Sequence, residues 1–264
     1  MTNILKFHIQ FPKFSQDYET SFSAGIHVIF GESGVGKSTF FQKLCGMDTD
    51  AGNFELKIHE KPTRTIPVFQ NPENQIVSST LDGELAFSPE CVFSDPSQVA
   101  YLVDGIKDTL NFIEDGTRHP VTLSGGEKEL LNIATALSVK PGLIVIDDGL
   151  SFLNSKAKKI QVKSLSDYTK DTGSIIIWLT SDISDLKFGD TVWELTLNSF
   201  TEINKSIPMP NYQQNNHPAG KLHLIADHLT YFYDHKRIII NDLSIEYLET
   251  RCFGIIGANG SGKT

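Results

Sequence analysis

Cysteine is scarce in this chain and basic charge is in deficit. The three cysteines, Cys45, Cys91 and Cys252, lie far apart and at no metal-ligand spacing. That excludes a disulfide scaffold and predicts reduced thiols in a cytosolic protein. Lys and Arg total 23 against 32 Asp and Glu, a formal net charge of -9. A chain this acidic lacks the general attraction that draws basic proteins to nucleic acid. Long apolar runs are missing too. The longest are strand-sized, such as residues 174–179, where a membrane-spanning helix needs about 18. The first seven residues lack a basic segment leading into an apolar stretch, so no signal peptide is expected. Direct insertion into a membrane is therefore not expected, and a membrane role would need a partner.

The 264 residues suffice for one large domain or two modest ones with a sizeable core. At 39% hydrophobic and 21% charged, the composition is that of an ordinary globular protein. Residues 4–11 alternate as a strand, and residues 26–30 form a short buried run ending at Gly31. A helix is expected from Lys37 to about Cys45. Residues 52–69 read as short strands and turns, closing on Ile66-Pro67-Val68-Phe69. Asp95-Pro96 signals a helix start, and Val99, Leu102, Val103, Ile106, Leu110 and Ile113 share one helical face. Another helix should begin at Ser124, with Leu130, Ile133, Ala134 and Leu137 as its buried stripe. Residues 143–146 and 174–179 are apolar strands with polar residues at their ends. Strands alternating with helices in this way predict a mostly parallel sheet, with ligands bound beyond the carboxyl ends of its strands.

Gly31-Glu32-Ser33-Gly34-Val35-Gly36-Lys37-Ser38 matches G-x-x-x-x-G-K-[ST] at every fixed position. Its glycines let several backbone N–H groups turn toward one phosphate, and the helix that follows adds its positive end. Lys37 is expected to reach the β and γ phosphates and the Ser38 hydroxyl to hold Mg²⁺, with Thr39 completing the site. A chance match arises in roughly one chain in a hundred of this length at average residue usage. A second complete copy, Gly257-Ala258-Asn259-Gly260-Ser261-Gly262-Lys263-Thr264, makes coincidence a poor explanation. Ile144-Val145-Ile146-Asp147-Asp148 delivers two carboxylates to the same edge. Asp147 is expected to hold Mg²⁺ through water, and Asp148 to face an attacking water.

Leu123-Ser124-Gly125-Gly126-Glu127 reads in general terms as an N-capped helix start with unpaired N–H groups. Placed between a phosphate loop and an acidic strand, it resembles the signature of the ABC ATPases. The resemblance covers residues 1–200 and restarts at about 220. It implies an α/β fold of the P-loop NTPase type, with a RecA-like, mostly parallel sheet, an antiparallel β subdomain and a helical subdomain at about 72–122. A linker at 201–218 and the N-terminal part of a second such domain at 219–264 follow. The resemblance also implies ATP and Mg²⁺ as ligands, and complete sites only where two domains pack head to tail. Ser124, Gly125 and Gly126 would then close on ATP held by the opposite domain. Gln70 looks like the glutamine that contacts Mg²⁺ and senses a transmembrane partner. Phe11, or else Phe14, looks like the aromatic that stacks on adenine, with Tyr233 doing so in the second copy; a half-buried strand aromatic is the plain alternative for Phe11. Residues 69–87 are similar to the ATPases of energy-coupling-factor importers, some of which carry two ATPase domains in one chain. A cytoplasmic protein on the inner face of the membrane, docked to transmembrane subunits, is what this implies.

Three positions depart from the family pattern. Asp148 stands where Glu is usual, Ser181 where His is usual, and Asn154 where Asp is usual. Asp148 is one methylene short of the water it should polarise, and Ser181 carries no positive charge. The expectation is a first site that binds ATP and hydrolyses it poorly. Its signature would serve the second loop, where turnover would occur. The chain stops inside that second loop, so little ATPase activity is expected of it alone. A soluble tandem ATPase acting on ribosomes and an ATP-dependent dimerising clamp are the competing readings. The short, uncharged stretch 208–218 argues against the first, since such proteins usually have a long charged linker.

Overall fold

The computed structural model describes residues 3–47, 52–110, 115–205, 224–233 and 237–247. The chain begins with β1 (Leu5–Phe11) and β2 (Gln16–Phe22), an antiparallel pair. Then come β3 (Gly25–Phe30), helix α1 (Lys37–Cys45), β4 (Glu55–Glu60) and β5 (Thr65–Val68). Three helices follow: α2 (Leu81–Val92), α3 (Pro96–Thr109) and α4 (Gly125–Ser138). The remainder of the first unit is β6 (Leu143–Asp147), α5 (Ser155–Thr172), β7 (Ile175–Thr180), β8 (Thr191–Leu195) and β9 (Phe200–Glu202).

Two sheets result. A six-stranded sheet runs in the order β5-β6-β7-β3-β8-β9, parallel throughout except for β9. A three-stranded antiparallel sheet has the order β2-β1-β4. The period of two in the central strands divides the core. Ile29, Val145, Ile177 and Leu179 meet α1 and the inner face of β1, where Leu5, Phe7, Ile9 and Phe11 are all buried. Val28, Ile144, Ile146, Ile176 and Trp178 face α4 and α5 on the other side. A smaller core of Leu81, Leu85, Val103, Ile106, Leu110, Leu123 and Leu131 joins α2, α3 and α4 into a helical layer. This is the α/β arrangement expected, with its parallel sheet, antiparallel β part and helical part.

Local signals explain the boundaries. Asp95 caps α3, its carboxylate accepting from the Ser97 N–H at 2.9 Å, with Pro96 in the first turn. Of the face expected on α3, Ile113 lies outside the described residues. Gly46 ends α1 in the left-handed region at φ 74°, where a side chain would be strained. The stripe expected on α4 needs correcting. Leu130, Ala134 and Leu137 are only half-buried, whereas Leu131, Asn132, Thr135 and Ala136 are buried alongside Ile133. The helix meets the other helices, the sheet and the 72–74 turn, so it is enclosed on several faces and has no single stripe. Strands β2, β8 and β9 and helix α5 were not marked by the sequence pattern.

The chain divides into residues 1–208 and 209–264. In the second unit, β10 (Leu224–Tyr233) and β11 (Arg237–Tyr247) form an antiparallel hairpin with register shifts. Cys45 and Cys91 are free thiols, and burial pushes Cys45 up to about 12, which disfavours its thiolate. Among the described residues no helix is long and apolar enough to cross a membrane.

Candidate phosphate-binding site

The sheet order brings the expected site residues to one edge. Strands β5, β6, β7 and β3 are adjacent and parallel, so their carboxyl ends align: Phe30 is in register with Thr180, and Asp147 with Leu179. Gln70 follows β5, Asp147 ends β6, Ser181 follows β7, and the 31–38 loop follows β3. Four stretches remote in sequence thus meet at the carboxyl edge of a parallel sheet, where open α/β folds bind ligands.

The loop is built by its glycines and by Lys37. The Gly31 N–H donates to the Thr180 carbonyl at 3.1 Å, tying the loop to the next strand. A Cβ on Gly31 would meet the Leu195 carbonyl oxygen at 2.8 Å, so no larger residue fits there. Gly34 and Gly36 stand at φ 86° and 109°, in the region that favours glycine. The Lys37 ammonium donates to the carbonyls of Gly31 at 2.7 Å and Glu32 at 3.0 Å. Burial lowers its pKa, while the carboxylates of Asp148 and Asp147 act in the opposite sense. No side chain caps α1, so its first-turn N–H groups are left for a ligand. A loop of N–H donors, a helix start and an ammonium is suited to polyphosphate.

The two carboxylates differ. Asp147 is buried, and that burial raises its pKa; a hydrogen bond from the Ser38 side chain and the charge of Lys37 pull the other way, and the Asp148 charge adds to the rise. A cation beside it would relieve the desolvated charge. Among the described residues no group of three or more His, Cys, Asp or Glu could hold a metal by itself. A cation at Asp147 and Ser38 would need phosphate oxygens to complete its shell, the usual situation of Mg²⁺. The residues therefore fit a magnesium nucleotide.

Asp148 has φ 50°, a left-handed conformation that aspartate tolerates better than most residues. Its carboxylate accepts from the Ser181 N–H at 3.2 Å, from the Ser181 hydroxyl at 3.1 Å and from the Gln70 amide at 3.5 Å. Asp148, Gln70 and Ser181, three candidates from the sequence, stand together.

Ser124 caps α4 in a reciprocal arrangement. The Ser124 N–H donates to the Glu127 carboxylate at 2.7 Å, and the Glu127 N–H to the Ser124 hydroxyl at 3.4 Å. Gly125 follows closely against Phe152, since a Cβ there would lie 2.8 Å from the ring. The start of α4, Gln70 and residues 71–73 and 151–152 border a groove of about 450 Å³. Two further contacts fix the segment after Gln70 to α4: the Lys128–Glu73 ion pair at 2.6 Å and the bond from the Asn132 amide to the Pro72 carbonyl at 2.9 Å. Asn154 caps α5, accepting from the N–H groups of Lys156 at 3.1 Å and Ala157 at 3.0 Å.

Phe11 is a correction. Its ring is fully buried against Phe54 and Tyr18, so it presents no face to a base. Its place in the alternation of Leu5, Phe7 and Ile9 already put it on the core face. Phe14, the other candidate, is 47% exposed. The second loop, from Gly257 and Asn259 through Gly260, Ser261, Gly262 and Lys263 to Thr264, and the side chain of Tyr233 lie outside the described residues. Sequence reading missed Lys128, Asn132 and Glu129, all buried on α4. Glu129 had a signal: it stands four and seven residues before Ile133 and Ala136, on the face they share.

Comparison with known proteins agrees with this fold. A family model described as ABC transporter matches residues 17–151, just over half of the chain. The energy-coupling factor transporter ATP-binding protein EcfA1 of Mesomycoplasma hyopneumoniae (strain 7448) is 30% identical over 178 residues, covering 63% of this chain and 64% of that protein. EcfA1 of Latilactobacillus sakei is 27% identical over 186 residues, covering 67% of this chain and 66% of that protein. The chain thus spans less than two thirds of the length of these relatives. Among solved structures, cbiO1 from Clostridium perfringens, described as part of the ABC transporter complex cbiONQ, superposes with a TM-score of 0.63 at 21% identity, covering 76% of this chain and 88% of that one. The ADP conformation of MJ1267, an ATP-binding cassette of an ABC transporter, gives 0.57 at 19% identity, covering 76% and 90%. These structures share the fold.

Proposed function

The chain belongs to the ABC transporter family, and from that premise we propose that it is the ATP-binding subunit of an importer of the energy-coupling-factor type. The 31–38 loop binds ATP, with Lys37 on the β and γ phosphates and Ser38, Asp147 and Gln70 holding Mg²⁺. The metal ion supplies neutralisation of phosphate charge. Phe14 is the aromatic available to adenine. The start of α4 closes on nucleotide held by a second ATPase domain, and transmembrane subunits dock beside Gln70 and the helices that follow. Its similarity to energy-coupling factor transporter ATP-binding proteins supports the transporter type.

This first site acts chiefly by binding and closing, and turns over slowly. The observation that carries this is the engagement of Asp148 by Ser181, through both its N–H and its hydroxyl. A carboxylate held by two local donors, on a side chain one methylene shorter than glutamate, is poorly placed to take a proton from an attacking water. That observation also favours a second reading, an ATP-driven clamp with little hydrolysis.

Nucleotide binding and hydrolysis measured on one sample separate these from an efficient enzyme. Magnesium-dependent ATP binding is expected, with turnover that rises in the Asp148→Glu, Ser181→His double variant. Rapid turnover by the unaltered chain that falls in the double variant would contradict the slow-site reading. Recovery from cells with ribosomes instead of membranes would contradict the importer.

A further inference from the structure

Glu129 plays no part in the site described above, yet it is 2% exposed in the second turn of α4. Both its oxygens are buried without a hydrogen-bond partner of ordinary geometry. After burial, the strongest influences on them are the backbone N–H groups of Leu150, Ser151 and Phe152, in the turn that follows β6, which pull toward the ionised form. Lys158 on α5 is the charged group acting on Glu129 from the other element packed there, and its ammonium is committed to Asp185 at 2.9 Å. On the same helix, Glu127 is folded onto Ser124 and Lys128 onto Glu73. Glu129 thus has no cation of its own, and burial pushes it up to about 7.

The turn it faces is constrained. Asp148 and Leu150 both have positive φ, 50° and 73°, and for a leucine that is a strained backbone. Leu150 and Leu153 are buried in the core, and Asn154 caps α5. The ring of Phe152 lies against Gly125 at the start of α4. Between these anchors, Glu129 is the side chain that meets the backbone.

We propose that Glu129 is a positioning residue: in its neutral form it pins the turn after β6 to α4, and through that turn fixes where the Asp148 carboxylate stands. Its consequence for nucleotide chemistry rests on the role given to Asp148 above; the pinning itself does not. The acid is protonated in the closed turn and favours water once ionised. Opening the turn hydrates the carboxylate, so rising pH loosens it. Glutamine in this place keeps an acceptor and never ionises. Alanine removes the acceptor that faces those N–H groups.

Amide hydrogen exchange of residues 149–153 in the full chain tests this, with protection corrected for the intrinsic pH dependence of exchange. In the unaltered chain, protection should fall about tenfold between pH 6 and pH 8. Glu129→Gln should give the same protection at both, no lower than that of the unaltered chain at pH 6, and Glu129→Ala should be loose at both. Unchanged protection across pH in the unaltered chain, or loosening of Glu129→Gln at pH 8 as in the unaltered chain, overturns the proposal. If Glu129→Ala does not fold, the comparison with Glu129→Gln decides alone. Binding of a fluorescent ATP analogue by the same samples reads the functional assignment separately. If the unaltered chain fails to bind, that assignment falls while the exchange result stands on its own.

Discussion

Replacing Lys37 with methionine keeps the stem of the side chain and removes its charge. Without nucleotide, two effects oppose one another. The bonds to the Gly31 and Glu32 carbonyls are lost, and a largely buried ammonium no longer has to be desolvated. Little change in melting temperature is expected. With ATP the difference is large. A charge-assisted contact to phosphate contributes about 1.5–3 kcal/mol, so the variant should bind roughly 10–150-fold more weakly. At a ligand concentration about 100 times the dissociation constant of the unaltered chain, binding adds about 2.7 kcal/mol to stability. The same concentration adds only about 0.3–1.4 kcal/mol to the variant. For a unit of about 200 residues, each kcal/mol moves the midpoint by about 2–4 °C. A nucleotide-induced shift of about 5–11 °C should thus shrink to about 1–6 °C. Thermal melts with and without MgATP measure both. Equal shifts in the two proteins would refute the assignment of Lys37 to the phosphates.

Asn154 should be replaceable by aspartate at little cost, because either side chain accepts from the Lys156 and Ala157 N–H groups; Asn154→Ala should lose about 1 kcal/mol, read from denaturant midpoints. Glu129 also sets a pH trend. Its value in the folded chain, about 7, lies above the ordinary 4.5, so the stability it contributes is complete below 4.5 and is lost as pH rises through 7. The difference corresponds to about 3 kcal/mol. Glu129→Gln should therefore gain on the unaltered chain in melts at pH 8 and not at pH 4.5, and an equal gap at both would count against the burial argument.

The phosphate loop and its neighbours were legible because their signals are local. A strand ending in glycine, the fixed spacing of the loop and the helix directly after it leave little to tertiary context, and α1 runs from Lys37 to Cys45 as expected. The same holds for Asp95-Pro96 and for Ser124. Strand β2 was not legible, because most of its side chains are exposed and its alternation is weak. Helix α5 buries only Val162, Leu165 and Thr169, a narrow stripe in a polar sequence. Helix α4 misled for the opposite reason, being enclosed on several faces. For Phe11 the alternation of its own strand, which favours a core aromatic, prevails over the family resemblance. The meeting of Gln70, Asp148 and Ser181 could be expected only through that resemblance, since adjacency of β5, β6 and β7 is a property of sheet order.

The position of β3 between β7 and β8 has a consequence for how the molecule is made. Its loop is among the first segments to leave the ribosome, but the strands that flank it are completed only near residues 180 and 195. The Gly31 N–H has no Thr180 carbonyl to meet until then. Contacts so far apart in sequence form late, after the costly closure of a long loop. A nascent chain that already displays the whole glycine-lysine motif is therefore still unable to grip a nucleotide, and becomes able to only when most of its first unit has been synthesised.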